Sequence, residues 1–115
     1  MSAGYQEIFL EQGASFNTTI TLDDVYGQAY NLQNYSASSQ IRKSYYSSNA
    51  TATFSTTVNG SLGLISLSLR APVTANIKPG RYLYDVLIYS NTDAANNTIR
   101  VLEGIINVTP SVTKV

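Results

Sequence analysis

Ala71-Pro72-Val73-Thr74-Ala75-Asn76-Ile77-Lys78-Pro79-Gly80-Arg81-Tyr82-Leu83-Tyr84-Asp85-Val86-Leu87-Ile88-Tyr89 is the stretch that decides the architecture. Pro72 ends the strand before it, and residues 73–77 are long enough for one helical turn with Thr74 as its candidate cap. Lys78-Pro79-Gly80 reverses the chain. A strand follows at once over 82–89, with Tyr82, Tyr84, Val86 and Ile88 on one side and Leu83, Leu87 and Tyr89 around Asp85 on the other. A crossover into such a strand carries a chain from one sheet of a β-sandwich to the centre of the other. Both faces of the strand are largely apolar, as expected if one lies in the core and a neighbouring chain covers the other.

Outward from this segment almost every stretch alternates with period two, and none holds a helical period. Residues 5–11 place Ile8 and Leu10 opposite Glu7, Phe9 and Glu11, and Gly13 breaks the run. Phe16, Thr18, Ile20 and Leu22 line one face of a second strand. The 23–28 segment is a turn, and the hairpin arm around it continues through 29–32. Residues 35–45 set Tyr35, Ala37, Ile41 and Tyr45 against Ser36, Ser38, Gln40 and Arg42. A Thr-rich strand over 51–58 is anchored by Phe54 and Val58. Asn59-Gly60 then reads as a type I′ hairpin turn, and 62–70 alternates with Ile65, Leu67 and Leu69 on one face. A last strand spans 98–109, interrupted by Gly104, and 111–115 is a tail. The expected core unites Ile8, Leu10, Ile20, Leu22, Ile41, Leu67, Leu69, Tyr84, Val86, Ile88 and the apolar residues of the last strand.

This predicts an all-β fold: an immunoglobulin-like β-sandwich of about seven to eight antiparallel strands with one short helical crossover, in a single domain over 1–110. Tyr82 fits the tyrosine that, in such sandwiches, ties its hydroxyl back to the crossover; Pro79, Gly80 and Tyr82 are therefore the expected structural corner.

Composition narrows the chemistry. In 115 residues there is no Cys and no His, so disulfides, thiolate metal sites, Ser-His-Asp triads and Cys-His pairs are excluded. Seven basic and seven acidic residues balance to zero, with Arg42-Lys43 as the only adjacent basic pair. A duplex-binding protein concentrates cations against phosphates, so no nucleic-acid partner is expected. No apolar run reaches the length of a membrane span, no membrane partner is expected, and residues 1–4 show no signal peptide. Six Asn-x-Ser/Thr triplets offer the reading of a secreted glycoprotein, but an Asn-, Ser- and Thr-rich chain produces them by chance and a secreted domain more often carries Cys, so chance is the expectation.

The remaining candidate sites are weighed against plain alternatives. Asp23-Asp24 with Asn31 offers too few oxygens for calcium and reads as a turn. Glu7 and Glu11 stand about 13 Å apart on a strand and are solvated charges rather than an acid–base pair. Arg42, Lys43, Tyr45 and Tyr46 combine charge, aromatics and a loop, a combination favoured at protein interfaces. Leu83, Leu87 and Tyr89 join them as candidate interface residues. Asp85 has Arg81, Arg100 or a partner chain as candidate counter-ions. No catalytic residue, metal or cofactor is expected, and the chain reads as a non-enzyme.

Five stretches in order carry a resemblance: EQGASF (11–16), NLQNYSASSQIRKSYYSS (31–48), GLISLSL (63–69), APVTANIKPGRYLYDVLI (71–88) and IRVLEGIINVTP (99–110). The chain is similar to small immunoglobulin-like virion proteins of tailed, marine T4-like bacteriophages, including the amino-terminal domain of upper baseplate proteins. The best markers are Asn34-Tyr35 before Gln40-Ile41-Arg42, and Pro79-Gly80-Arg81-Tyr82 before Tyr84-Asp85-Val86. The resemblance implies a non-enzymatic module, assembled in the host cytoplasm into the virion. It would dock on other virion proteins of the capsid, neck, tail or baseplate, or on itself as a homo-oligomer. The alternative is a carbohydrate-binding sandwich with Tyr45, Tyr46 and Tyr89 as stacking platforms. The absence of Trp weighs against it.

Overall fold

The computed structural model describes residues 4–23, 26–28, 30–44, 46–47, 49–93 and 95–112. Among them the chain forms β1 (Gly4–Tyr5), β2 (Ile8–Glu11), β3 (Phe16–Thr21), β4 (Tyr35–Arg42), β5 (Ala52–Thr53), β6 (Ser55–Asn59), β7 (Leu64–Leu69), α1 (Ala71–Ala75), β8 (Gly80–Ser90) and β9 (Thr98–Thr109). The larger sheet runs β1-β9-β8-β4-β5, with β2 also on β9, and the smaller runs β3-β7-β6. The two pack as a sandwich around Leu10, Ile41, Ile65, Leu67, Val86, Ile88 and Ile106, each nearly or wholly out of solvent. Period-two alternation produces this directly: one side of β4, β7 and β8 is buried at every second residue. Of the expected core, Ile20 and Leu22 are only partly buried, because β3 is an edge strand.

Several local readings need correction. The first expected strand is two strands, and both pair parallel with β9 rather than antiparallel. The direction follows from the connection: Glu11 must end beside Thr109 so that residues 12–15 can hand the chain to Phe16, opposite Leu69 of the smaller sheet. The 51–58 strand is likewise split. Residues 52–53 pair with β4, buried Phe54 turns inward, and 55–59 join the other sheet. No strand continues through the described residues 30–32; Tyr30 N–H donates to Leu22 O and Leu32 N–H to Gly60 O, one bond to each side. Ala29 lies outside the described residues.

The turn after Asn59 is not a two-residue type I′ turn. Four residues, 60–63, separate the paired Asn59 and Leu64, and positive φ falls on Gly63 (65°). The Asn59 side chain accepts from Leu62 N–H and Ser61 Oγ, closing the longer loop on itself. Gly104 does not interrupt β9. A Cβ there would sit 2.0 Å from Gln6 O, so the glycine admits the β1–β2 junction against the strand.

The helix begins two residues earlier than expected, because Pro72 needs no N–H partner in a first turn. Arg70 is its N-cap residue, without a side-chain cap bond. Thr74 is not the cap: it is fully buried, and its Oγ1 donates to Ala14 O at 2.8 Å, latching α1 to the β2–β3 loop.

Candidate interaction surface

The crossover positions the site. Gly80 opens β8 at φ 146°, a conformation that favours glycine. Two residues on, buried Tyr82 donates its hydroxyl to Lys78 O at 2.7 Å, so the strand is fixed to the chain that enters it. Lys43 Nζ lies 4.7 Å above the Tyr82 ring and donates to Arg81 O at 3.1 Å. Its cation is thus held on the corner.

With that phase set, Tyr82, Tyr84, Val86 and Ile88 enter the core, and Leu83, Asp85, Leu87 and Tyr89 stand half-buried on the outer face of the larger sheet. Cross-strand neighbours extend this face. Leu83 is opposite Ile105, and Asp85 is opposite Glu103 on β9 and Gln40 on β4. On the far side of β9, Tyr5 and Phe9 are each 65% exposed beside Glu103 and Asn107. The outer face therefore bears aliphatic and aromatic side chains around a charged centre.

A β-bulge builds that centre. The register shifts between Val86 and Leu87, so Val86 faces Leu102 while Leu87 faces Arg100. The extra residue, Val101, is kept in the core with Leu102. Arg100 is thereby delivered outside, with Nε 3.4 Å from Asp85 and a terminal nitrogen 3.4 Å from Glu103. Two carboxylates directly opposite each other repel; the guanidinium between them supplies the opposite charge. All three side chains keep between 36% and 51% exposure, so their attraction is screened and contributes little stability.

Behind this face lies a buried clasp. Tyr84 donates its hydroxyl to Gln6 O at 2.7 Å, and Gln6 N–H donates to Glu103 O. Burial, with a smaller contribution from the Tyr5 phenol, pushes the Tyr84 hydroxyl up to about 12. It is a neutral hydrogen-bond donor that ties the β1–β2 junction to β8 across Gly104 of β9.

The candidate interface residues fall into separate places. Leu83, Leu87 and Tyr89 share the outer face. Arg42 stands at one end of it, bound to Ser47 O at 2.9 Å and Gln40 Oε1 at 2.8 Å. Tyr46 is 96% exposed in the loop after β4, and Tyr45 lies outside the described residues. Tyr46 and Tyr89 do not form one stacking platform. Arg42 is opposite Leu83, whereas Tyr89 is opposite Ser36, six residues and about 20 Å along the strands. Tyr5, Phe9 and Ile105 were not among the sequence candidates for this face, whereas Arg100, one of the candidate counter-ions for Asp85, is the one paired with it. The alternation of 5–11 already set Phe9 away from the core, and that was the available signal. Among the described residues no group of three or more Asp and Glu is placed to hold a metal ion.

No protein-family model matches the chain, and no curated protein matches it in sequence. Solved structures match in shape. InlP of Listeria monocytogenes is 16% identical with a TM-score of 0.52 over 93% of this chain. The GspB Siglec domain is 18% identical with a TM-score of 0.51 over 91% of it. The chain spans 27% of the first of those structures and 54% of the second. With the two-sheet topology and the latched tyrosine corner, the likeness identifies the fold: this chain is an all-β, immunoglobulin-like sandwich.

Proposed function

We propose that this chain is a non-enzymatic structural module of a tailed-bacteriophage virion, docking on another virion protein through the outer face of its larger sheet. The carrying observation is β8, whose second apolar row, Leu83, Leu87 and Tyr89, has no layer of the described residues over it. Exposed Phe9 and Tyr5 and half-buried Ile105 widen the patch. An aromatic and aliphatic centre with Arg and carboxylates among it has the composition of a protein interface rather than of a catalytic cleft. The immunoglobulin-like fold supports the same reading, as a rigid sandwich that presents a sheet face. The virion assignment rests on the ordered sequence resemblance, which runs through the corner and through β8 itself.

Mass spectrometry of purified virions, combined with cross-linking, tests both parts. The expected result is the chain in intact particles, with cross-links from engineered cysteines at positions 85 and 103 to a single neighbouring virion protein. Absence from particles would overturn the virion assignment. Presence with cross-links only from control cysteines engineered at positions 57 and 66 of the smaller sheet would overturn the docking face.

A further inference from the structure

A net charge of zero hides a strong separation along the molecule. Of seven basic residues, Lys114 lies outside the described residues, and five of the other six gather at one end of the sandwich. Arg42 ends β4, Lys43 follows it, Arg70 follows β7, and Lys78 and Arg81 flank the start of β8. The pairings bring these strand ends together, since Arg42 is opposite Leu83 and Gly80 is opposite Val108. Glu11 belongs to this end, and Glu7 lies one level in, bonded to Asn107. The net of these described residues is +3.

The opposite end is built by the described residues of 21–34, 59–64 and 89–98, and none of these is Lys or Arg. Its described acids are exposed Asp23 and Asp93. The ion pairs among the described residues join Arg100 to Asp85 and Glu103 in the middle of the sheet. Arg42 and Lys43 bond neutral acceptors, which leaves their charge in place.

The longest extent is 45 Å, against a Debye length of about 8 Å at physiological salt, so the two ends do not neutralise each other. Each end also exposes large apolar groups: Tyr46 and Val73 at the basic end, Tyr26 and Leu62 at the acidic one. A basic end with apolar neighbours fits an acidic end of the same make.

We propose that copies of this chain associate head to tail, the Arg70–Lys78–Arg81 end of one against the Asp23–Asp93 end of the next. The partner is a second copy because the complementary charge lies on the same chain at the far end. Such a contact is heterologous: it leaves one free end of each sign and propagates into a row or closes into a ring. It uses neither the outer sheet face nor the docking partner proposed above.

Sedimentation velocity of the pure full chain tests this at about 10 mM and about 1 M salt, where the Debye lengths are about 30 and 3 Å. We expect concentration-dependent assembly at low salt and monomer at high salt. Lys78→Glu with Arg81→Glu makes both ends acidic, and Asp23→Lys with Asp93→Lys makes both ends basic. Each double variant should lose association by about tenfold or more, and an equimolar mixture should regain it. Asp93 also accepts from Asn96 and Asn97, so Asp23→Lys alone repeats the test with that turn intact. Leu83→Ser with Leu87→Ser should leave this assembly unchanged. A monomer at low salt at every concentration, assembly that strengthens with salt, or reversals without effect would each overturn the proposal.

Discussion

The two faces of β8 carry nearly the same chemistry and have opposite fates. Tyr82, Tyr84, Val86 and Ile88 are buried against the smaller sheet and the corner; Leu83, Leu87 and Tyr89 lie one residue out of phase and meet no second layer among the described residues. Among the described residues every buried side-chain polar atom is matched. Tyr82 reaches Lys78 O, Tyr84 reaches Gln6 O, and buried Ser39 from β4 donates to Asp85 O. On the outer face the one charged cluster is open to solvent and held weakly. Folding therefore accounts for the first row; under the proposed function the second row makes the contacts between molecules.

The largest effect should come from breaking the inner side. Gly104→Ala places a methyl 2.0 Å from Gln6 O and 3.1 Å from the Tyr84 ring, so β1 and β2 must lift from β9. We expect a loss of about 3 kcal/mol in denaturant unfolding. Tyr84→Phe removes one buried donor and should cost about 1–2 kcal/mol, again read by denaturant unfolding. It carries a pH signature as well. The folded hydroxyl keeps its proton to about 12 and the unfolded one releases it near 10.0, so its contribution is complete below pH 10 and vanishes as pH rises to 12. Wild type should lose stability relative to Tyr84→Phe across that window.

Outer-face changes should be small. Arg100→Ala leaves Asp85 and Glu103 facing each other across the strands and should cost about 0.5 kcal/mol, less at high salt, when thermal melts are compared.

The sequence made the inner side legible because alternation alone assigns Tyr84, Val86 and Ile88 to one face. The same alternation set Leu83, Leu87 and Tyr89 outside. The corner was legible too, from Pro79-Gly80 and a tyrosine two residues later. What alternation cannot supply is register. Arg100 reaches Asp85 through a bulge that no local pattern announces, and Ile105 joins the face only because it pairs with Leu83. Tyr5 and Phe9 belong there because their strands run parallel to β9, a choice forced by where β3 must start. Thr74 looked like a helix cap because its burial depends on Ala14, 60 residues away. Gly104 looked like a strand break because its neighbour, Gln6, is equally remote in sequence.

If the outer row of β8 serves docking and not folding, Leu83→Ser with Leu87→Ser separates the two roles. Unfolding free energy of the purified variant and its copy number in virions should be measured side by side. We expect a stability loss of at most about 1–2 kcal/mol, below that of a core substitution, together with loss of the chain from the particle. Normal copy number in virions, or a loss of stability like that of a core substitution, would contradict it.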